Sequence, residues 1–477
     1  MKAGSYVFVP VVLFIYLLVS GYRIINPLPL TYDPALHGEV AAYVMPANFI
    51  PQTWEPLADV AYTYPPLFHW AAFLLSASGF ETYKIVVFMG LFLYALFPIS
   101  FYIYGRAFGE KEAVLFSFFG AVQASLIEVF AAGEYPQLLS MNLLVIVLYF
   151  LAKRNYMNAG IFSGLTVLSH TFTALYTAAL IVIYYLLDRK KIRTNDMLIF
   201  AVCALAISAV WLPNYLKIAD NAASSRWENT IWYYKAGFIG FDKVNDIFFS
   251  IMPGSRVGMI TFLFSLIGAA YAYRKKYHLP LCIFLFTIIF TVFHIPSTQY
   301  KFYDMLAVAV PPIATFGIIW TADKLKKSRI VAPLLACFLA VFLVINPYVN
   351  AANLRNCCVS KDIPNEAQVK LAEWLKNNDT SHGMLLADGD YEIWFALIAG
   401  KRPMNPRISE LEVFTDNYRR LLSDRKNTIN AIGKDHDPTE TLLKWGVEYV
   451  VTERSLNSSY FRAIREENGT KLYKYYP

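Results

Sequence analysis

Charge is what this sequence has least of. Of 477 residues, 16% are charged and 57% are hydrophobic, whereas a soluble domain carries about a quarter charged residues. So few charges do not cover a surface in water, which excludes a free soluble protein. Cysteine is scarce as well. Of five, Cys203, Cys282 and Cys337 lie inside apolar runs and Cys357 and Cys358 are adjacent, so neither a disulfide framework nor a metal-ligand spacing is present. Internal repeats and low-complexity linkers are missing. The apolar segment 6–22 has no small-residue cleavage site and is expected to be an uncleaved first span.

What the chain has in quantity is long apolar runs, with a mean hydropathy of +0.40. Val86–Tyr104, Met197–Leu212 and Leu279–Ile295 approach the length of about 20 residues that crosses the hydrocarbon layer. The runs predict about eleven spans, at 5–22, 84–104, 113–132, 137–152, 159–169, 172–187, 197–213, 257–273, 279–295, 303–321 and 330–347. The fold class expected is a polytopic α-helical membrane protein. The net charge of +7 then reflects cationic loops and not a nucleic-acid surface. On one side of the membrane, loops 105–112, 153–158, 188–196, 274–278 and 324–329 carry fifteen Lys and Arg. The short loops 133–136, 170–171 and 296–302 carry only Lys301. Positive loops mark the cytoplasm, so the N-terminus is expected inside.

That parity requires Tyr64–Gly79 not to cross. It is short for a span and begins Tyr64-Pro65-Pro66, so it is expected to be a helix lying at the outer surface. The segment 159–187 is expected to be a hairpin turning at Ser169-His170-Thr171, with one long tilted helix as the alternative. Three pieces then face outward: a loop over 23–83, a loop over 214–256, and the tail. The tail mixes a polar helix (Asn365–Asn377) with short β-branched runs (Met384–Ala387, Val447–Thr452), which predicts a small exterior α/β domain. The expected domains are therefore 1–350 in the membrane and 351–477 outside. Sequons at Asn378, Asn457 and Asn468 agree with an outward tail.

Charged groups at a membrane surface are costly and tend to mark function. Asp33, in Tyr32-Asp33-Pro34-Ala35-Leu36-His37, has the chemistry of a general base for a hydroxyl. As a plain structural residue it would be the N-cap of a helix from Pro34. His37 falls one turn on, to hold an acceptor or to sit on the surface, and Glu39 points away. Glu134 occupies a tight exterior turn. His170 is either a sugar ligand or a histidine satisfied by the hydroxyls of Ser169 and Thr171. Lys301, beside Tyr300, is placed to neutralise a departing phosphate, or else snorkels to head groups. Arg226 and Arg256 are further cations for that task. Trp374, Trp394 and Trp445 are expected mainly in the core of the tail.

In order along the chain, these features resemble the GT-C superfamily of membrane glycosyltransferases, and most nearly the group with protein O-mannosyltransferases and lipid A aminoarabinose transferases. Asp33 matches the early acid of the first outer loop, and Tyr64-Pro65-Pro66-Leu67-Phe68-His69 the Pro-containing surface helix. Gly105-Arg106-Ala107-Phe108-Gly109 matches a short cytoplasmic turn, and Glu134 the second acid. Pro34 stands where the mannosyltransferases commonly have Glu, Tyr64 where they have His, and the Trp-Trp-Asp of oligosaccharyltransferases is missing. These departures weigh against a protein acceptor. The resemblance implies transfer of a monosaccharide from a polyprenyl-phosphate donor to a glycan, lipid or protein, with inversion. It matches Asp33 and Glu134, taken as catalytic residues; the residues themselves offer His37, His69, His170, Tyr300, Lys301, Arg226 and Arg256 as substrate ligands. No metal or other cofactor is expected, and no nucleic acid; membrane lipids are the remaining partners. A metal-dependent oligosaccharide transferase and a non-enzymatic transporter or glycan-binding scaffold stay open.

Overall fold

In a computed structural model of the chain, the residues described are 31–57, 62, 64–121, 123–214, 237–238, 247–248, 257, 259–294, 299–325, 363–405, 416–432, 439–456 and 460–476. The expected spans 5–22 and 330–347, together with Arg226, Arg256 and Asn457, lie outside them. The fold is mostly helical, with a small sheet near the C-terminus. It divides into two compact units, one of residues 1–27, 90–216 and 222–356, the other of residues 28–89, 217–221 and 357–477.

The first unit is a helical bundle. Its elements are α3 (Thr82–Gly105, whose first turns belong to the second unit), α4 (Glu110–Ala121), α5 (Ala124–Ala132), α6 (Tyr135–Ala152), α7 (Tyr156–Val167), α8 (Thr171–Asp188), α9 (Thr194–Ser208), α10 (Met259–Lys275), α11 (His278–Val292) and α12 (Gln299–Leu325), with a short antiparallel pair β1 (Gly237–Phe238) and β2 (Phe293–His294). Among the described residues, four helices are long and apolar enough to cross a membrane: α3, α6, α8 and α12. The pair α4 and α5 gives a fifth if taken as one broken span. Two of the eleven expected spans lie outside the described residues, and four of the other nine, at α7, α9, α10 and α11, are shorter helices of 12 to 17 residues. The 12 residues of α7 extend only about 18 Å at 1.5 Å per residue, short of a hydrocarbon core of roughly 30 Å.

One expectation changes in detail, and the hairpin expected over 159–187 is found. The run 113–132 is not one helix, because Gln123 takes an extended backbone (ψ 123°) and the halves meet at 48°. The run 159–187 is two helices and not one, since His170 is extended (ψ 125°) and caps α8.

Small and polar residues hold the bundle, as expected where lipid removes the hydrophobic drive between helices. A Cβ on Gly268 would fall 1.8 Å from the carbonyl oxygen of Ile313, and one on Gly317 would fall 1.9 Å from that of Phe264, so α10 and α12 touch backbone to backbone. Asn142 on α6 donates to the Leu93 carbonyl of α3 at 3.0 Å and accepts from Ser100 at 2.9 Å. Aromatic rings mark the two ends. At one end Phe302 at the start of α12 meets Phe172 at the start of α8 and Phe290 at the finish of α11. At the other, Phe108 of the turn before α4 meets Tyr277 before α11 and Phe316 late in α12. Alternate connections therefore share an end, with the cations Arg106, Lys111, Arg274, Lys275 and Lys276 near the second.

The second unit joins the first loop to the tail. The loop forms α1 (Asp33–Glu39), continued by a π-helical turn Val40–Val44, and α2 (Leu67–Ala77). At 11 residues, α2 is roughly 16 Å long and does not span a bilayer. The tail adds α13 (Glu366–Asn378), β3 (Met384–Ala387), α14 (Glu392–Ala399), β4 (Arg402–Pro403), α15 (Asp416–Ile432), α16 (Thr439–Trp445), β5 (Val447–Thr452), β6 (Phe461–Glu467) and β7 (Thr470–Tyr475).

The sheet order is β4-β3-β5-β7-β6, parallel through β5 and antiparallel beyond it. Asn365 caps α13 through a reciprocal pair with Gln368, at 2.9 Å each way. That helix buries Leu371, Ala372 and Leu375 against Leu385, Tyr449, Val451 and Leu472 of the sheet. Trp394 is fully buried and donates to the Thr31 carbonyl at 2.8 Å, and Lys376 pairs with Glu81 at 2.7 Å. A Cβ on Gly38 would meet the Leu397 side chain at 2.4 Å. The sheet domain is thus packed on the first-loop helices.

Candidate active site

In the second unit, Asp33 opens α1. Pro34 follows at a position that loses no hydrogen bond. The expected N-cap role does not hold, because the cap residue is Tyr32, with no side-chain cap bond. Asp33 stays partly exposed. His37, one turn on, is not the surface histidine of the alternative reading, being 3% exposed. Its Nδ1 lies 3.0 Å from Nε2 of His69, and Nδ1 of His69 lies 2.9 Å from the hydroxyl of Tyr62. His69 is wholly buried on α2, and burial first, then the neighbouring His37, holds it well below the usual imidazole range. The three groups form a hydrogen-bonded chain running from α1 through α2 to Tyr62. Either set of tautomers satisfies it, and it braces His37.

Glu39, expected to point away from Asp33 and His37, does not reach solvent. It is fully buried, neither carboxyl oxygen has a hydrogen-bond partner among the described residues, and burial raises its pKa well above the usual carboxylate value. Neutral in the folded chain, it would ionise near pH ~4.3 in the unfolded one. Above that pH the unfolded state binds fewer protons, so stability falls as pH rises, by up to about 1.4 kcal/mol per unit. His69 acts oppositely: below about pH 6.5 the unfolded chain takes up a proton that the folded one refuses. In thermal melts, the gain in Tm of Glu39→Gln over the parent is therefore expected to grow from about pH 5 to about pH 8. An equal difference at both pH values would mean that Glu39 is ionised in the fold.

In the first unit, Glu134 follows Gly133, whose positive φ of 78° ends α5, and it is the cap position of α6. Its carboxylate accepts from the Lys301 ammonium at 2.5 Å. Lys301 also donates to Gln137 Oε1 at 2.5 Å, and Gln137 Nε2 donates to Asp304 Oδ2 at 2.9 Å. Each pair of residues is three apart on one helix, so the first turns of α6 and α12 present two groups each to a single network. Lys301 is 13% exposed and Glu134 21%, which places the ion pair at a rim and not in bulk water. Lys301 is therefore held by protein groups, and the snorkelling alternative does not describe it.

His170 caps α8 through Nδ1, which faces the backbone N of Thr173 at 3.4 Å and its hydroxyl at 3.2 Å. Thr173 takes the place of the expected Ser169 and Thr171; the Ser169 hydroxyl turns back to the Leu165 carbonyl. Tyr300 lies in the first turn of α12. Sequence reasoning passed over Gln137 and Tyr62 and gave Asp304 no role. The available signal was the shared i, i+3 spacing of polar residues at two helix starts.

No family model and no curated protein sequence matches the chain. Solved structures do. The oligosaccharyltransferase AglB of Archaeoglobus fulgidus, in complex with an inhibitory peptide and a dolichol-phosphate, matches 94% of this chain and 69% of its own at 14% identity and a TM-score of 0.59. The mycobacterial arabinofuranosyltransferase AftD matches all of this chain at 14% identity and a TM-score of 0.58, but this chain covers only 42% of it. ArnT of Cupriavidus metallidurans, bound to undecaprenyl phosphate, matches 99% of this chain and 98% of its own at 12% identity and a TM-score of 0.53. At 12–14% identity these likenesses show the fold alone: this chain is folded like AglB, AftD and ArnT.

Proposed function

We propose that the protein is a membrane glycosyltransferase that moves a monosaccharide from a polyprenyl-phosphate carrier to an acceptor hydroxyl on the outer face. The acceptor oxygen attacks the anomeric carbon and the bond from that carbon to the phosphate oxygen breaks. Polyprenyl phosphate leaves, and the hydroxyl proton passes to Asp33. Attack opposite the leaving group inverts the anomeric centre. The His37–His69–Tyr62 chain fixes the face of α1 beyond Asp33.

The observation that carries this reading is the Lys301 network at the first turns of α6 and α12. An ammonium beside helix N-termini is a site for phosphate, since unpaired backbone N–H groups and the helix dipole add to its charge. An arriving phosphate would exchange with Glu134 on Lys301, leaving that carboxylate to the sugar hydroxyls. Support comes from the similar structures that hold dolichol-phosphate or undecaprenyl phosphate, which are what such a donor leaves behind.

The full set of about eleven spans, the inside N-terminus and the outward tail of 351–477 belong to the same proposal, supported by the positive loops. So do Arg226 and Arg256 as further cations, and His170 and Tyr300 as sugar ligands. Membranes containing the protein are expected to incorporate label from radioactive polyprenyl-phosphate mannose or glucose into an extract-derived product. If neither donor is consumed above the level of membranes lacking the protein, the donor class is wrong.

A further inference from the structure

The second unit contains a cleft of about 410 Å³ that none of the proposed chemistry uses. One wall is the first-loop chain, from the π-helical turn with Tyr43 to Phe73 on α2 and the link Phe80–Tyr83; the other is the tail, with Lys376, His382 and Gly400. The volume falls in the range of roughly 300–1,000 Å³ typical of ligand pockets. Tyr43 sits on a kind of helical turn that is frequent at functional sites. Its ring meets that of His382 edge-on at 5.7 Å and 82°.

The lining selects a ligand class. Four aromatic rings (Tyr43, Phe73, Phe80 and Tyr83) give flat apolar faces, and Phe80 is 67% exposed. The charged lining residues Glu81 and Lys376 are paired at 2.7 Å, and Glu81 also holds Lys84 at 2.5 Å. Both ammoniums are thus already engaged by a carboxylate. A lipid tail, in turn, would have to cover that ion pair along with Ser76, Thr82 and His382. Nδ1 of His382 donates to the Gly400 carbonyl at 3.2 Å, which leaves Nε2 to bond a hydroxyl. Flat apolar faces beside neutral polar groups match a sugar, which has C–H faces and hydroxyl edges.

Tyr43 lies ten residues beyond Asp33 on the same continuous helical segment, roughly 15 Å along its axis, within reach of a short oligosaccharide. We infer that this cleft binds an uncharged oligosaccharide segment of the acceptor, the part that does not react. The inference rests on reading the chain as a glycosyltransferase. Binding energy gathered away from the reacting centre orients the acceptor hydroxyl for attack.

The test uses the full-length protein in nanodiscs on an array of neutral and anionic oligosaccharides built from mannose, glucose, galactose and N-acetylglucosamine. The parent and Asp33→Asn are both expected to retain a set of neutral glycans. Phe80→Ala and His382→Ala are expected to bind that set at least tenfold more weakly, with unchanged melting curves because both side chains are exposed. Retention of no neutral glycan, or equal retention by the two variants, overturns the inference. Cleft binding without any sugar transfer would instead overturn the catalytic reading and leave the cleft standing.

Discussion

Asp33→Asn is expected to abolish sugar transfer while leaving the protein folded and inserted. General-base catalysis contributes about 10²- to 10⁴-fold, and asparagine has no basic site to take the proton. The exchange is nearly isosteric. It removes no cap, because Tyr32 and not Asp33 is the cap residue of α1, and the bond from the Asp33 backbone N to the Thr31 hydroxyl at 3.4 Å is untouched. Donor binding is therefore expected to survive, so that kcat falls and the donor KM does not. Thermal melts of the parent and the variant in nanodiscs should coincide. Full activity in Asp33→Asn removes the general-base role.

The second large effect is expected at Lys301. Lys301→Met leaves Glu134 without its cation in a partly covered position. Removing one partner of a buried ion pair costs about 3–5 kcal/mol, and exposure of 13% and 21% for the two side chains puts the cost at the lower end. Glu134→Gln in the same chain should recover most of that stability, because no bare carboxylate then remains. Transfer should not recover. Losing a group that stabilises developing charge costs about 10²- to 10³-fold in kcat, and inhibition by added polyprenyl phosphate should weaken in parallel. Lys301→Arg keeps the charge and is expected to restore part of both. If the double variant regains transfer along with stability, Lys301 is a structural cation only.

Much of the fold was legible where local chemistry decides the structure. Met384–Ala387 and Val447–Thr452 stand as strands with the bounds expected, because β-branched and apolar runs between polar helices have few other uses. The brevity of Tyr64–Gly79, its paired prolines and the loop charges together foretold a short α2. The break at Gln123 was hidden, because the apolar run continues on both sides and only a backbone angle interrupts it.

The site was legible residue by residue and not as an assembly. Glu134 and Lys301 are 167 residues apart, and nothing in either neighbourhood announces the other. The same holds for His37 and His69, picked singly as sugar ligands and found bonded to each other beneath the surface. A helical wheel turns Glu39 away from Asp33 but says nothing of what covers that side, and the side proves to be buried.

The central claim is that the sugar leaves its carrier and the phosphate stays behind. Purified protein in liposomes, given a polyprenyl-phosphate sugar and an acceptor extract, can be followed by mass spectrometry of both lipid and product. Free polyprenyl phosphate and sugar-extended acceptor are expected to appear in equal amounts, in the parent and not in Asp33→Asn. Transfer of the sugar with its phosphate, or transfer of equal speed in Asp33→Asn, would contradict the account.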